Sequence, residues 1–563
     1  MWLNSSISRE EVFKKRLTVV FWLCIFIFVI FAIRVIEISV FERGRLLSEL
    51  APQVVPSYDI LRAERGEIFD RNGIKLATSM LTYELDVNPK VIPREKLSQL
   101  VKVLTQSKVI KEQDAGAISN ADSYVLVSTE VPQSVKSIID GLNLSDGVVF
   151  VKTYKRVYPY REILAPLIGI VGVDGNGLSG VELSLNDYLK GRNGRAFRSF
   201  NFSEPEFLGH PTYILKPENG NSVYLTIDIQ IQSKVYELVK KYVKEFDAKS
   251  GFAIVTDPNT NEILAMVSYP SFDPEHFTTL CQNLPTTFNY EPGSVLKPLI
   301  ALAALDEGAL KVDEDFYCSG SIKVKDRIIY CWKKHGKEHG LTDILVNSCD
   351  VAFAQIGLKL GKEALLKYLK LFGLGERTQC ELLGEEKGIL PDLKDVGDVE
   401  VANMAFGQGI AVTQIQLVSA LNSIVNGGRL FTPHIIKRIV GKDNNTIYES
   451  RTNLRRVIGT EENIKYIKDA LVEVVEKGAP KAKIEGYRIM GKTGTAQKPQ
   501  PTGGYSHSKL IYSFFGAIPY PEPQVSVIVS INETKVPQYS TTVAAPLFSE
   551  IGTFLVKYLR IGK

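Results

Sequence analysis

The stretch EPGSVLKPLIALAALDEG, residues 291–308, decides how this chain is read. Pro292-Gly293 breaks regular structure, and the apolar run behind it has helical length. Pro298 sits early in that run; proline lacks an N–H, and only about the first four N–H groups of a helix have no intrahelical partner. The helix is therefore expected to begin near Gly293–Val295, with Ser294 in its first turn and Lys297 one turn above it. Residues three apart on a helix are neighbours, which brings hydroxyl and amine together. Burial among Leu299–Leu305 lowers a lysine's affinity for its proton, so Lys297 can serve as base to the serine, and a helix N-terminus favours the developing negative charge. Alone the pattern is weak. Ser506-His507-Ser508-Lys509 is a second Ser-x-x-Lys, and a serine at a helix start is as readily an N-cap as a nucleophile.

Two downstream elements change the odds. LVNSCDVAFAQIG (345–357) puts Ser348 and Asp350 at the mouth of another helical segment. IMGKTGTAQ (489–497) supplies Lys492, Thr493, Gly494 and Thr495 ahead of two strands expected at Ser513–Ile518 and Gln524–Ile531. A Lys-Thr-Gly on a strand edge offers a cation and a hydroxyl to a carboxylate, and its glycine lets another backbone lie close. Upstream, Ile231, Val235, Leu238, Val239, Tyr242 and Phe246 fall at helical spacing over 229–246. GFAIVTDPNTNEILAMVSYPSFDP (251–274) reads as a hairpin turning at Asp257-Pro258-Asn259, and a last helix is expected around Ala544–Leu559. Strands at both ends of a domain with helices between them indicate an α+β domain, an antiparallel sheet covered by helices. Polar, turn-rich residues 195–222 read as a boundary; the acid-rich 384–400 reads as a solvated loop; and Asn72-Gly73 marks a tight turn within 62–79.

At the N-terminus, Leu17–Ile33 is 17 residues without a charge, between Lys14-Lys15-Arg16 and Arg34. As a helix this run is about 26 Å long, near the short end of a bilayer span. A cleaved signal peptide and a buried core helix are the competing readings. An all-round apolar helix with Phe21 and Trp22 near its basic end favours a membrane anchor over 17–38, with 1–16 cytoplasmic and the rest outside. Across the 563 residues, 45% hydrophobic and 23% charged composition excludes disordered, collagen-like and coiled-coil classes. A balance of 67 basic to 63 acidic residues gives no electrostatic case for nucleic acid as a partner, and six cysteines are too few for a disulfide scaffold.

Ser-x-x-Lys, a Ser-x-Asn-like element and Lys-Thr-Gly, in that order, are the signature of class A β-lactamases and penicillin-binding proteins. With RGEIFDRNG (65–73), GLSGVE (177–182), LTIDIQIQ (225–232), DPNTNEILAM (257–266), NMAFGQGIAVTQIQL (403–417) and TTVAAPLFSEI (541–551), the chain resembles a class B penicillin-binding protein over nearly its full length. The resemblance implies an elongated pedestal (dimerisation-like) domain over 50–220 and a transpeptidase domain over 223–563. It implies a peptidoglycan D,D-transpeptidase in which Ser294 attacks the penultimate D-Ala carbonyl of a stem peptide, Lys297 is the base and Ser348 relays the proton. Lys492 and Thr493 would hold the terminal carboxylate, and the N–H groups of Ser294 and Thr495 would form the oxyanion hole. β-Lactams, the membrane, a membrane-embedded glycan polymerase and other division or elongation proteins are the implied partners; no cofactor is required.

The second element reads Ser348-Cys349-Asp350 where the third residue is usually Asn, and Asn261 stands where Gly is common, at a turn site that tolerates positive φ. Cys318, Cys331, His335 and Cys349 offer a sufficient set for tetrahedral zinc, without a zinc-finger spacing; free thiols and a Cys331–Cys349 disulfide are the alternatives. Competing functions are a β-lactamase or β-lactam sensor, for which no Glu-x-x-Leu-Asn element is found, and a catalytically idle scaffold, disfavoured by the intact Ser294, Lys297 and Lys492-Thr493-Gly494. TTVAAP resembles division- or sporulation-type members, whereas Ser-Cys-Asp resembles elongation-type ones; septal synthesis is the favoured reading.

Overall fold

The computed structural model describes residues 9–40, 58–144, 147–197, 213–276, 279–500 and 504–562. The chain divides into two compact units, Met1–Leu61 with Gly194–Lys216, and Arg62–Asn193 with Pro217–Lys563.

In the first unit a 32-residue helix runs over Arg9–Val40. Strand Gly194–Phe197 pairs antiparallel with Tyr58–Leu61 on one side and Tyr213–Leu215 on the other. Large apolar side chains of the helix between Val19 and Phe31 face outward, Phe28 being 73% exposed. Among the described residues no helix is long and apolar enough to cross a membrane. The helix coincides with the anchor expected over 17–38, but Arg16 and Arg34 bracket an uncharged run of about 26 Å, against a bilayer core of about 30 Å. Of the cytoplasmic tail expected at 1–16, residues 1–8 lie outside the described residues and 9–16 open this helix; the start of the pedestal at 50 lies outside them too.

The second unit opens with strands Ile68–Phe69 and Lys75–Val87. They turn at Asn72-Gly73, where Asp70 Oδ1 accepts the N–H groups of Asn72 and Ile74 at 2.8 Å each and Gly73 takes φ +87. These strands belong to a seven-stranded sheet ordered Thr446–Glu449, Ile436–Val440, Ser222–Leu225, Ile68–Phe69, Lys75–Val87, Val125–Pro132, with Val148–Val157 also paired to Lys75–Val87. Ser222–Leu225 bonds Ile68–Phe69 in parallel and Ile436–Val440 antiparallel, so the sheet draws strands from both ends of this unit. Beside it Glu182 is fully buried, its carboxylate shared between Arg65 Nε at 2.6 Å and Arg156 Nε at 2.7 Å. That ion triad joins the RGE of 65–67 to the GLSGVE of 177–182, and explains two of the quoted stretches.

A five-stranded antiparallel sheet organises the larger part, in the order Ile263–Tyr269, Ser250–Thr256, Val525–Asn532, Tyr505–Ile518, Met490–Pro499. Alternate residues of its strands enter two cores. Ala253 and Val255 pack with helices Ile229–Glu245 and Ser540–Tyr558, while Phe252 and Ile254 pack with helices Lys297–Asp306, Asp350–Leu360 and Gln414–Val425. The expected α+β arrangement, an antiparallel sheet covered by helices, is thus what this part forms, and the helices cover both faces. The 257–266 hairpin turns through Asn261 at φ +57, a conformation that asparagine tolerates. One expectation needs correction: 384–400 is not a solvated loop throughout. Glu385 is buried, accepting the Thr378 N–H and hydroxyl at 2.6 Å each and the Gln379 N–H at 3.0 Å, and Asp398–Ala405 is a helix. Three donors satisfy the carboxylate, which is how a charge comes to be buried.

Candidate active site

Gly293–Leu296 forms a tight 3₁₀ turn that runs into helix Lys297–Asp306, with Pro298 within its first turn. Ser294 is half-buried in the 3₁₀ turn, and Lys297, three residues on, is fully buried. The Lys297 ammonium donates to the Ser348 carbonyl at 2.6 Å and to Asp350 Oδ1 at 2.7 Å, with the Ser348 hydroxyl at 3.4 Å. Ser348 and Asp350 come from the turn that opens helix Asp350–Leu360, and Ser348 holds φ +52, a left-handed conformation uncommon outside glycine.

Strand Met490–Pro499 is the edge of the five-stranded sheet nearest this turn. Its Lys492, fully buried, donates to Ser348 Oγ at 2.9 Å and lies 3.3 Å from the Thr493 carbonyl. Ser348 thus bridges the two lysines. A Cβ on Gly494 would fall 2.4 Å from Val295 Cγ2 and 3.0 Å from the Pro292 carbonyl. The close approach that this glycine permits is therefore that of the strand to the serine turn. Thr493 is half-buried and Thr495 exposed; Thr495 Oγ1 lies 2.7 Å from Ser540 Oγ, which also bonds the Gly494 carbonyl.

Burial, and then the neighbouring Lys297 charge, hold the Lys492 ammonium well below the usual lysine range. Burial raises the Asp350 carboxyl, against the pull of Lys297 and Lys492. The site is a buried pair of lysines balanced by one carboxylate, with a serine hydroxyl between them. Seven of the eight expected catalytic and substrate-binding residues, Lys297, Ser348, Asp350 and 492–495, meet in this network or on its strand. Ser294 stands one turn before Lys297, and among the described residues its hydroxyl makes no hydrogen bond into the network, as is common where a catalytic contact tightens only with substrate bound. The second Ser-x-x-Lys, 506–509, lies in strand Tyr505–Ile518 and forms no helical turn.

Cys318, Cys331, His335 and Cys349 also converge, with one ligand atom from each lying within 4.8 Å of all the others. A tetrahedral zinc with bonds of about 2.3 Å to sulfur sets its ligand atoms about 3.8 Å apart, so the set fits the ion with small adjustments. His335 Nε2 is buried without a hydrogen-bond partner. All four thiols outside Cys24 and Cys281, namely Cys318, Cys331, Cys349 and Cys380, are free, so the disulfide alternative is not formed. The cluster abuts the site: the Asp350 N–H points to Cys331 Sγ at 3.3 Å, and Cys349 caps the helix that Asp350 begins.

Sequence reading passed over several residues here. Glu291 accepts from Gly409 and Tyr505. Gly407 backs onto Gly293, whose N–H bonds its carbonyl at 2.9 Å. The signal for both was present in EPGS and in the Gly-x-Gly of 407–409, but neither carries its partner's identity in its spacing.

Residues 251–552 match the penicillin-binding protein transpeptidase domain, and residues 60–225 the penicillin-binding protein dimerisation domain. Stage V sporulation protein D of Bacillus subtilis is 34% identical over 552 residues, covering 96% of this chain and 85% of that protein. Peptidoglycan D,D-transpeptidase FtsI of Buchnera aphidicola is 30% identical over 550 residues, 95% of this chain and 94% of that one. The structure of penicillin-binding protein 3 from Mycobacterium tuberculosis complexed with aztreonam superposes with a TM-score of 0.70 at 25% identity, covering 89% of this chain and 98% of that one. A serine turn against a Lys-Thr-Gly strand, two lysines bridged by a serine, and these matches over both halves of the chain lead to one conclusion: the chain belongs to the penicillin-binding protein transpeptidases that carry a dimerisation domain.

Proposed function

We propose that this protein is a peptidoglycan D,D-transpeptidase acting through an acyl-enzyme on Ser294 in septal wall synthesis. The observation that carries the reading is the bridge Lys297–Ser348–Lys492 beside the Ser294 turn. In its neutral form Lys297 takes the Ser294 proton as the oxygen attacks the penultimate D-Ala carbonyl, and Asp350 countercharges the ammonium so formed. Ser348, within reach of both lysines, passes a proton towards the departing D-Ala amine. Lys492 and Thr493 hold the substrate's terminal carboxylate, for which a β-lactam's own carboxylate substitutes. The N–H groups of Ser294 and Thr495 stabilise the tetrahedral oxyanion, at about 3–4 kcal/mol for each donor. The acyl group then passes to an amine on a neighbouring strand. Asp350 in place of the usual amide supplies a countercharge to the buried Lys297, a reason for its presence that does not depend on an elongation role.

The septal assignment rests on the names of the sporulation and FtsI relatives. A pedestal over 50–220 and a catalytic domain over 223–563 are supported by the two domain matches. An anchor over 17–38, tethering the catalytic domain outside the membrane beside a membrane-embedded glycan polymerase, is supported by the outward apolar side chains of helix Arg9–Val40. Zinc on Cys318, Cys331, His335 and Cys349 would act as a structural cross-link, fixing the segment 318–335 against the helix start that presents Ser348 and Asp350. Metal analysis of the purified protein is expected to return one zinc per chain, and chelation to lower the melting temperature; no bound metal would remove the zinc assignment alone.

The test of the acyl-enzyme is labelling by a fluorescent penicillin in wild type and Ser294→Ala. A long-lived adduct on the peptide holding Ser294, absent from the variant, is expected. Rapid drug turnover would move the assignment to hydrolysis, and a folded wild type that takes no label would favour an idle scaffold.

A further inference from the structure

Glu291 stands three residues before Ser294 and is the point where three segments meet. Its Oε1 accepts the Gly409 N–H at 3.0 Å and the Tyr505 hydroxyl at 3.0 Å. Gly409 belongs to the loop 406–410, which the Ser294 turn already touches. The Gly293 N–H bonds the Gly407 carbonyl at 2.9 Å, and a Cβ on Gly407 would fall 2.1 Å from the Gly293 carbonyl oxygen. Tyr505 begins strand Tyr505–Ile518 and pairs with Pro499, at the turn end of the hairpin whose other strand carries Lys492-Thr493-Gly494-Thr495. One carboxylate therefore fastens the nucleophile turn, the loop behind it and the hairpin that presents the substrate-binding strand.

We propose that Glu291 is a positioning residue, a carboxylate clamp that holds the hairpin end at Tyr505 and the loop at Gly409 in register with Ser294 for acylation. The proposal rests on Ser294 being the nucleophile, as above. The clamp has two strengths. An ionised carboxylate makes charge-assisted hydrogen bonds roughly twice as strong as neutral ones. A protonated carboxyl still accepts through its carbonyl oxygen, but weakly. Burial pushes the Glu291 carboxyl up to about 7, against the pull of its two donors. Among the described residues the titratable group that faces it is the Tyr505 phenol, itself raised by burial and by the Glu291 charge, so Tyr505 stays a donor throughout the physiological range. The Glu291 Oε2 is buried without a hydrogen-bond partner, consistent with an acid that keeps its proton to near neutrality.

The test uses the full chain in detergent. The rate of acylation by a fluorescent penicillin is measured from pH 5.5 to 9 for wild type, Glu291→Gln, Glu291→Ala and Tyr505→Phe. Glutamine keeps the shape and one acceptor oxygen but no charge. The ratio of the wild-type rate to that of Glu291→Gln is expected to rise from near one at low pH to about three- to tenfold above pH 8, with its midpoint near pH 7. Titrations of the lysines are common to both proteins and cancel in the ratio. Tyr505→Phe is expected to slow acylation and flatten that rise, and amide exchange in the 504–510 segment, compared at one pH, is expected to quicken in Glu291→Ala and Tyr505→Phe. A ratio that does not change with pH, or Tyr505→Phe acylating at the wild-type rate with unchanged exchange, overturns the clamp while leaving the acyl-enzyme intact. A wild type that never labels at Ser294 overturns the transpeptidase reading and the clamp's part in acylation with it; the exchange result then decides whether the hairpin is fastened at all.

Discussion

At the scale of single residues, the site is built from groups whose neighbours leave them little freedom. Lys297 is fully buried with Asp350 as its countercharge, and replacing it with Met leaves that half-buried carboxylate without its ion-pair partner. Loss of a general base costs about 10²–10⁴ in rate, so Lys297→Met is expected to slow penicillin acylation by at least a hundredfold in stopped-flow labelling. Gly407 has φ +88, and a side chain there meets backbone that cannot yield. Gly407→Ala is expected to lose about 2 kcal/mol or more of stability in urea unfolding, and to displace the Ser294 turn. Glu291 gives a stability effect whose sign follows from its raised pKa. The unfolded carboxyl ionises near 4.3, whereas the folded one keeps its proton until about 7. Burying the ionised form costs more than its stronger hydrogen bonds to Gly409 and Tyr505 return, so its contribution to stability is fully present below pH 4 and is lost as pH rises through about 7, even as those two bonds tighten. Glu291→Gln does not titrate, so its urea midpoint is expected to gain on wild type between pH 4.5 and 7.5; a constant difference between the two proteins would contradict the shift.

At the scale of elements, the decisive contact is strand Met490–Pro499 lying on the 3₁₀ turn Gly293–Leu296. Gly494→Ala is expected to push the strand off the turn and reduce acylation by about tenfold or more, with a far smaller loss of stability, since the strand remains bonded to Tyr505–Ile518. How these elements could be read from sequence follows from locality. The helix start was legible because Pro298 restricts where it can begin, and the 257–266 hairpin because Asp257-Pro258-Asn259 punctuates two apolar runs. The burial of Glu385 was not legible, since its partners Thr378 and Gln379 are backbone and hydroxyl donors that any loop possesses. A proton-relay role for Ser348 is implied by three motifs together, whereas its bridging of two lysines is not legible from any spacing. The clamp at Glu291 stayed hidden because Tyr505 lies 214 residues away along the chain.

At the scale of the molecule, the seven-stranded sheet joins the N-terminal and C-terminal parts of the larger unit, and the Arg65–Glu182–Arg156 triad ties together three segments of its N-terminal part. Breaking a buried ion pair by removing one partner costs about 3–5 kcal/mol, so Glu182→Ala, which leaves two buried guanidinium groups unpaired, is expected to lower the melting temperature by several degrees. What separates a transpeptidase from a hydrolase is transfer: an acyl group held on Ser294 and delivered to an amine. The most direct test supplies the full-length protein with a stem pentapeptide ending in D-Ala-D-Ala and an excess of a D-amino acid, and follows the products by mass spectrometry. Transfer through Ser294 predicts one D-Ala released for each peptide carrying the new terminal residue, and none of this product from Ser294→Ala. Peptide shortened by water alone, or exchange that persists in the variant, would contradict it.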